Sequence, residues 1–413
     1  MKLNIYRACL VISISIFTPA TTSSYAENTA LIQQLLNTKK CFKCDLSGTN
    51  LEGTNLSQVD LSYANLQAAN LRNTQLRQAN LSRVNLSGSN LEGANLHQVD
   101  LSYANLQAAN LRNAQLQQAK LNNANLQKTD LSGTSFNRAN LYDANLSKAN
   151  LSNAYLSGAD LYKANLSESN VSKANLSEAN LSEANLVGAN LSEAFLVRTN
   201  LLETDLNRAN LSQALLQSAL LQSANLQSAN LSLADLSLAN LQKANLSKAE
   251  LKGANLFRAE LSGANLQSTN LQSANLSLAN LLSANLSLTN LSEAYLPGAY
   301  LPEANLSGAN LFRAQLQSAN LQSANLSLAN LQSANLSLAN LPEADLSGAN
   351  LAGVNLSLAN LFRAKLSGTN LSRAYLSLAN LSEANLNKAD LSQAILTGAK
   401  LSGAIMPNGN LHE

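Results

Sequence analysis

The chain has 413 residues, with no tryptophan, two histidines, three cysteines and five prolines, and aromatic residues make up only 4% of it. A mixed globular core needs large, varied side chains. Here the 46% hydrophobic content is almost all Leu and Ala, which signals one small motif copied many times. The two histidines, His97 and His412, stand far from each other and from the cysteines. That removes a His-based metal centre and leaves the abundant serines without a general base. The glycines are scattered singly, as in Ser-Gly-Ala, and form no phosphate-binding loop. No catalytic, cofactor-binding or metal-ligating residue is expected, and the chain does not read as an enzyme. Charge of one sign is also missing. Formal net charge is +2, of which Lys2 and Arg7 belong to the first 26 residues, leaving 25 basic against 25 acidic residues. Such a balance offers no electrostatic reason to bind nucleic acid or an anionic membrane.

What the chain does have is period. From Leu46 to Leu401 a branched apolar residue returns every fifth position, giving about 72 consecutive units in which only Phe136 and Val171 replace Leu. With the Leu position called i, residue i−2 is mostly Ala, otherwise Thr, Val or Ser, and i−1 is mostly Asn or Asp, for a consensus A-N-L-S-x. A Leu and a small residue in nearly every unit supply enough apolar surface to order the chain despite its low complexity. The segment Leu51 to Asn80 recurs almost verbatim as Leu91 to Lys120, and Leu-Pro-Glu-Ala at Leu301 recurs at Leu341. Both recurrences are offset by eight units, which predicts whole coils of four units each.

The ends depart from the grid. Residues 1–26 read as a secretory signal: Lys2 and Arg7, an apolar run from Ala8 to Phe17, and a small-x-small cleavage site at Ser24-Tyr25-Ala26. The run is shorter than the ~20 residues a bilayer span takes, so cleavage is expected rather than anchoring, with no membrane insertion afterwards. Between Asn28 and Lys40 the apolar residues Ala30, Leu31, Leu35 and Leu36 are spaced for one short helix with Asn28 as N-cap, covering the first coil. Cys41 and Cys44 follow, at positions that would point into that coil. A structural disulfide or a pair of buried thiols is expected, with a redox pair or metal half-site as sharper alternatives. The expected divisions are therefore a signal peptide at 1–26, the capping helix and Cys-x-x-Cys at 27–44, the array at 45–405, and a tail at 406–413 closed by Pro407 and Gly409.

These residues, A-N-L-S-x and A-D-L-S-x repeated over nearly the whole mature chain, resemble the pentapeptide-repeat family, and the leader, short helix and T-K-K-C-F-K-C-D-L-S-G resemble its exported members from photosynthetic bacteria. The resemblance implies an all-β fold, a right-handed quadrilateral β-helix, with i and i−2 inward and i−1, i+1 and i+2 outward. It also implies one known activity, protection of type II topoisomerases by acidic rods that mimic DNA. This chain is neutral and carries an export leader, so that reading is only the alternative.

If four sides exist, each outward i−1 column is sampled at every twentieth residue. In the column through residue 155 the departures from Asn or Asp are Gln75, Gln115, Ser135, Tyr155, Phe195, Leu215, Tyr295, Gln315, Tyr375 and Ile395, ten of about 18, while the other three columns together hold about eight. The same side gathers Phe257, Leu338, Leu358 and Leu378. Copying of a Leu-bearing repeat would explain this, as would a face that meets a partner. The candidate interaction face is thus Tyr155, Phe195, Leu215, Phe257, Tyr295, Leu338, Leu358, Tyr375, Leu378 and Ile395. The expected function is a non-enzymatic structural or protein-interaction rod outside the cytoplasm, in the periplasm or, in a photosynthetic bacterium, the thylakoid lumen. Its partner is an unknown protein, and its uncapped C-terminal coil predicts a C-terminal homodimer.

Overall fold

The computed structural model describes residues 19–413, with side chains from residue 29 onward. Parallel bridges join each i−1 residue to its counterpart four units later, from Lys40 with Asp60 through to Asn385 with Ile405. The coil therefore closes at every twentieth residue, and its four five-residue units make a right-handed quadrilateral β-helix. Stacked at ~4.8 Å per coil, about 18 coils form a rod of roughly 85 Å. The solenoid begins one unit earlier than the expected residue 45, because Cys41 occupies a Leu position and its amide already bonds Asp60 O at 2.8 Å.

The consensus follows from the fate of five backbone amides, all of which need an acceptor. In the unit Ala224–Ser228, three amides reach neighbouring coils: Asn225 to Thr204 O at 2.9 Å, Leu226 to Asn245 O at 2.7 Å, and Ser228 to Ser247 O at 3.0 Å. Ala224 closes the preceding turn on Leu221 O at 3.1 Å. The fifth amide, Gln227, points outward and is taken by the side chain of Asn225, Oδ1 at 3.3 Å. Asn or Asp at i−1 is thus the local acceptor that the turn lacks. The same side chain donates to the coil below, as Asn225 Nδ2 does to Asp205 Oδ1 at 2.9 Å, so the amides also form a ladder. Position i+2 has positive φ, 56° at Ser228, which marks a type II turn.

Inside, every i residue from Leu46 to Leu386 is at most 2% exposed, Phe136 and Val171 included. Each buried Leu contributes about 1.5–3 kcal/mol. Thr at i−2 fits the same tube because its hydroxyl is satisfied, as in Thr204 Oγ1 to Leu181 O at 2.9 Å.

The ends are unequal. The helix α1 spans Pro19–Thr38, beginning well before the expected Asn28, which lies within it and is not its cap. Pro suits a first helical turn, and neither Gly nor Pro interrupts the stretch that follows. Leu35 is fully buried against the first coil, with Leu31 and Ile32 packed beside it. The leader's apolar run lies outside the described residues. Cys41 and Cys44 are joined by a disulfide of 2.08 Å across the first turn. At the other end Leu391, Leu396 and Leu401 are half-exposed. The tail turns back, pairing Leu411 antiparallel with Ile405 and bonding Gly403 N to His412 O and His412 N to Ala404 O at 2.9 and 2.7 Å. It therefore covers one side of the last coil. Leu411, although on the five-residue grid, is 70% exposed rather than inward, because Pro407 and Gly409 reverse the chain before it.

Candidate interaction side

The four sides are designated A to D for the i residues Cys41, Leu46, Leu51 and Leu56 and every twentieth residue after each. That register places all ten candidate residues on side D. Tyr155, Phe195, Tyr295, Leu338, Leu358, Tyr375, Leu378 and Ile395 are exposed, and Leu215 and Phe257 are half-buried. Leu338, Leu358 and Leu378 stack in three successive coils, flanked at the last by Tyr375 and followed one coil on by Ile395.

The backbone adds a second observation about these leucines. Eight leucines between Leu233 and Leu378, five of them on side D and Leu233, Leu288 and Leu328 on sides C and B, occupy the i+2 position with φ of 58–62°. A non-glycine residue in this left-handed region costs about 1 kcal/mol or more. Glycine and Asn relieve that cost, whereas the Ser, Gln, Glu, Lys and Arg of other units bear it as these leucines do, and what sets the leucines apart is that they remain 48–74% exposed. Five of them rest a methyl group against a glycine one coil further on. Leu378 Cδ2, for example, lies 2.7 Å from where a Cβ of Gly398 would stand. The leucines are thus seated along the rod, yet more than half of most of them faces water.

Where side D lacks Asn or Asp, the i+1 amide loses its local acceptor. Two units without that acceptor carry proline at the i+1 position itself. Tyr295 is followed by Pro297, and on side A Tyr300 is followed by Pro302, so there is no amide left to satisfy. At Asp235 the ordinary arrangement persists. Burial pushes its carboxyl up, but the Ser237 amide at 3.0 Å, Gln217 Nε2 at 2.7 Å and Asn255 Nδ2 at 3.0 Å outweigh burial and hold it below the usual carboxylate range.

Side A holds an array that the reading of i−1 departures passed over. Lys43, Tyr63, Arg83 and Tyr103 share one i+2 column. The Arg83 guanidinium lies 5.7 Å from the Tyr63 ring centre and 4.7 Å from that of Tyr103. Lys43 lies 5.2 Å from Phe42 and 5.8 Å from Tyr63. Sampled once per coil, the i+2 position exposes this column in the sequence just as i−1 exposes side D.

The family model described as Pentapeptide repeats (8 copies) matches in overlapping segments from residue 40 to residue 413. The chain belongs to the pentapeptide-repeat family. Among solved structures it is similar to HetL, a pentapeptide repeat protein involved in heterocyst differentiation regulation from Nostoc sp. strain PCC 7120. Identity is 35% over 64% of this chain and 91% of that one, with a TM-score of 0.20. It is also similar to Rfr23 from the cyanobacterium Cyanothece 51142, at 40% identity over 21% of this chain and 58% of that one, TM-score 0.21. A third is a pentapeptide repeat protein from the Arabidopsis thaliana thylakoid lumen, at 27% identity over 22% and 66%, TM-score 0.15. No curated protein matches.

Proposed function

We propose that this protein is a non-enzymatic rod that acts outside the cytoplasm by receiving a protein partner on side D. One observation carries the reading: a contiguous exposed apolar surface, Leu338, Leu358, Leu378, Tyr375 and Ile395, at outward positions that most other units give to polar residues. Exposed apolar residues weaken the free rod, and a docking partner removes that cost. The extracytoplasmic location rests on the charged, apolar and small-residue segments of residues 1–26.

The test is site-specific photocrosslinking in the protein's own cell together with fractionation. A crosslinking residue at Tyr295 or Leu358 should yield a discrete adduct in the extracytoplasmic fraction, and one at Glu303 on side A should not. Equal adducts on both sides would remove side D as the contact. Recovery from the cytoplasm alone would remove the location.

A further inference from the structure

Charge along the rod is segregated. Between Lys39 and Lys128 there are nine basic and five acidic residues, a surplus of four; between Asp130 and Asp205 there are nine acidic and five basic, a deficit of four. Elsewhere the rod pairs opposite charges one coil apart, as in Lys148–Glu168 and Lys173–Glu193 at 3.5 Å and Arg363–Glu383 at 2.7 Å. Side A does not do so in its first coils. Lys43, Arg83 and Lys120 lie on its N-terminal stretch and Asp143 on the stretch after it, all exposed. None of these four takes part in any of the eight ion pairs of the described residues. The basic stretch is also where Phe42, Tyr63 and Tyr103 stack with the cations, and Tyr and Arg are the residue types enriched where interfaces are tightest.

We infer that two copies of this chain pair antiparallel, side A against side A, with the basic stretch of each on the acidic stretch of the other. A two-fold axis lying in the interface across the rod, between the coils of Tyr103 and Asn123, keeps each column over its own counterpart. Lys43 then faces Glu183, which its own copy already holds through Lys163 at 3.5 Å and the Tyr162 hydroxyl at 2.7 Å, while Arg83 faces Asp143 and Lys120 faces Asp100, each pair occurring twice. Tyr63 faces Lys163. The one like-charge pair is Asp60 with Asp160. Both of these carboxylates already accept hydrogen bonds in their own copy, Asp60 from Ser62 and Asn80 and Asp160 from Tyr162 and Asn180. Because both surfaces repeat every coil, the match persists over eight coils. At ~4.8 Å per coil and at most ~16 Å per five-residue side, the pair covers about 1,200 Å² in total, the lower bound of a stable interface. Isologous pairing requires this self-complementarity, and side A itself provides it, with Lys40, Lys43, Arg83 and Lys120 against Asp60 and Asp100 on the first stretch and Asp143, Asp160 and Glu183 against Lys163 on the second.

The experiment is sedimentation of the full-length chain and two charge-reversed variants, Lys43→Glu/Arg83→Asp and Asp143→Arg/Glu183→Lys. The unaltered chain should associate at low ionic strength and weaken at least about tenfold in ~0.5 M salt, where screening acts within a few ångströms. Each variant alone should be monomeric, because reversal places like charges opposite each other. A 1:1 mixture of the two should associate again, since every reversed residue then meets its opposite. A monomeric unaltered chain at low salt, association of either variant alone, or failure of the mixture to recover would each overturn the proposal. A second check uses one introduced cysteine per copy in a Cys9→Ser background, with Cys41 and Cys44 held in their disulfide. A Tyr103→Cys copy mixed with an Asn123→Cys copy should be joined across the axis by a short bifunctional thiol crosslinker, which spans the ~10 Å between facing sheets that a direct disulfide does not, and failure of that crosslink would also overturn the pairing.

Discussion

The outward amide at i+1 makes a quantitative claim that can be isolated at one unit. Ser337 N donates to Asn335 Oδ1 at 3.1 Å, and Asn335 takes part in no ladder bond, so its side chain serves that amide alone. Asn335→Ala orphans a half-buried donor and should cost about 1 kcal/mol, within the usual range for one hydrogen bond. Adding Ser337→Pro removes the donor itself, as Pro297 does after Tyr295, at a turn position whose φ suits proline. Proline also stiffens the unfolded chain by about 0.4–1 kcal/mol, so Ser337→Pro alone must complete the cycle. Because each coil contacts only its neighbours, the loss is read most directly beside the site. Hydrogen exchange at Leu336 and Leu338, whose amides bond Asn355 O and Ser357 O at 2.7 and 3.0 Å, reads the local opening. Protection there should fall about fivefold in Asn335→Ala and return in the double variant, with a coupling of about 1 kcal/mol. A coupling near zero would show that the Asn column does not exist to serve this amide.

Leu226→Asp places an unpaired charge at a position with no exposure and should cost about 3–5 kcal/mol, melting several coils; an unchanged circular dichroism melt would refute an inward Leu226. Gly298→Ala should destabilise more than Gly368→Ala. Both have positive φ, but only the first sets a new Cβ 2.8 Å from a leucine methyl, that of Leu278, so equal denaturation midpoints would contradict the seat described for the leucines. The carboxyls of Asp45, through its hydrogen bonds with Ser47, and of Asp235 are held below their usual range. Depressed carboxylates contribute stability that is present above about pH 4 and is lost as pH falls through their lowered values. Asp235→Asn should therefore flatten the decline of stability between neutral pH and about pH 3, as seen in denaturation midpoints, and an unaltered decline would count against Asp235.

The path of the chain was legible because a tube this narrow takes one large apolar residue, nearly always Leu, beside a small one, so the five-residue grid is the core written out. Coil length was legible because departures from Asn sort by side, and side sorting is possible only at the true register. The candidate residues fell on one side for the same reason. The start of α1 was not legible, since helical spacing marks the part that packs on the first coil and says nothing of the turns preceding it. Nor was the return of the tail, which hinges on Pro407 and Gly409 acting together. The cations and rings of Lys43, Tyr63, Arg83 and Tyr103 escaped because departures were sampled at i−1, whereas these four lie at i+2 of side A. The prolines at 297 and 302 look like breaks in a sequence, but proline suits the i+1 turn position and, there as at Pro342 after Asn340, leaves no outward amide to satisfy.

A coil of four equal units gives the rod a phase as well as a length. Removing or inserting four units shortens or extends it by one step and leaves every later residue on its own side. Removing a single unit leaves each Leu in the tube but turns all later residues by a quarter, so the Tyr155 and Tyr375 parts of side D would face at right angles. The eight-unit offset between Leu51 and Leu91, and again between Leu301 and Leu341, is in phase. Growth of this molecule has therefore been able to lengthen its sides without twisting them apart, and a frame of one unit, tolerable to the core, is the change its surface cannot absorb.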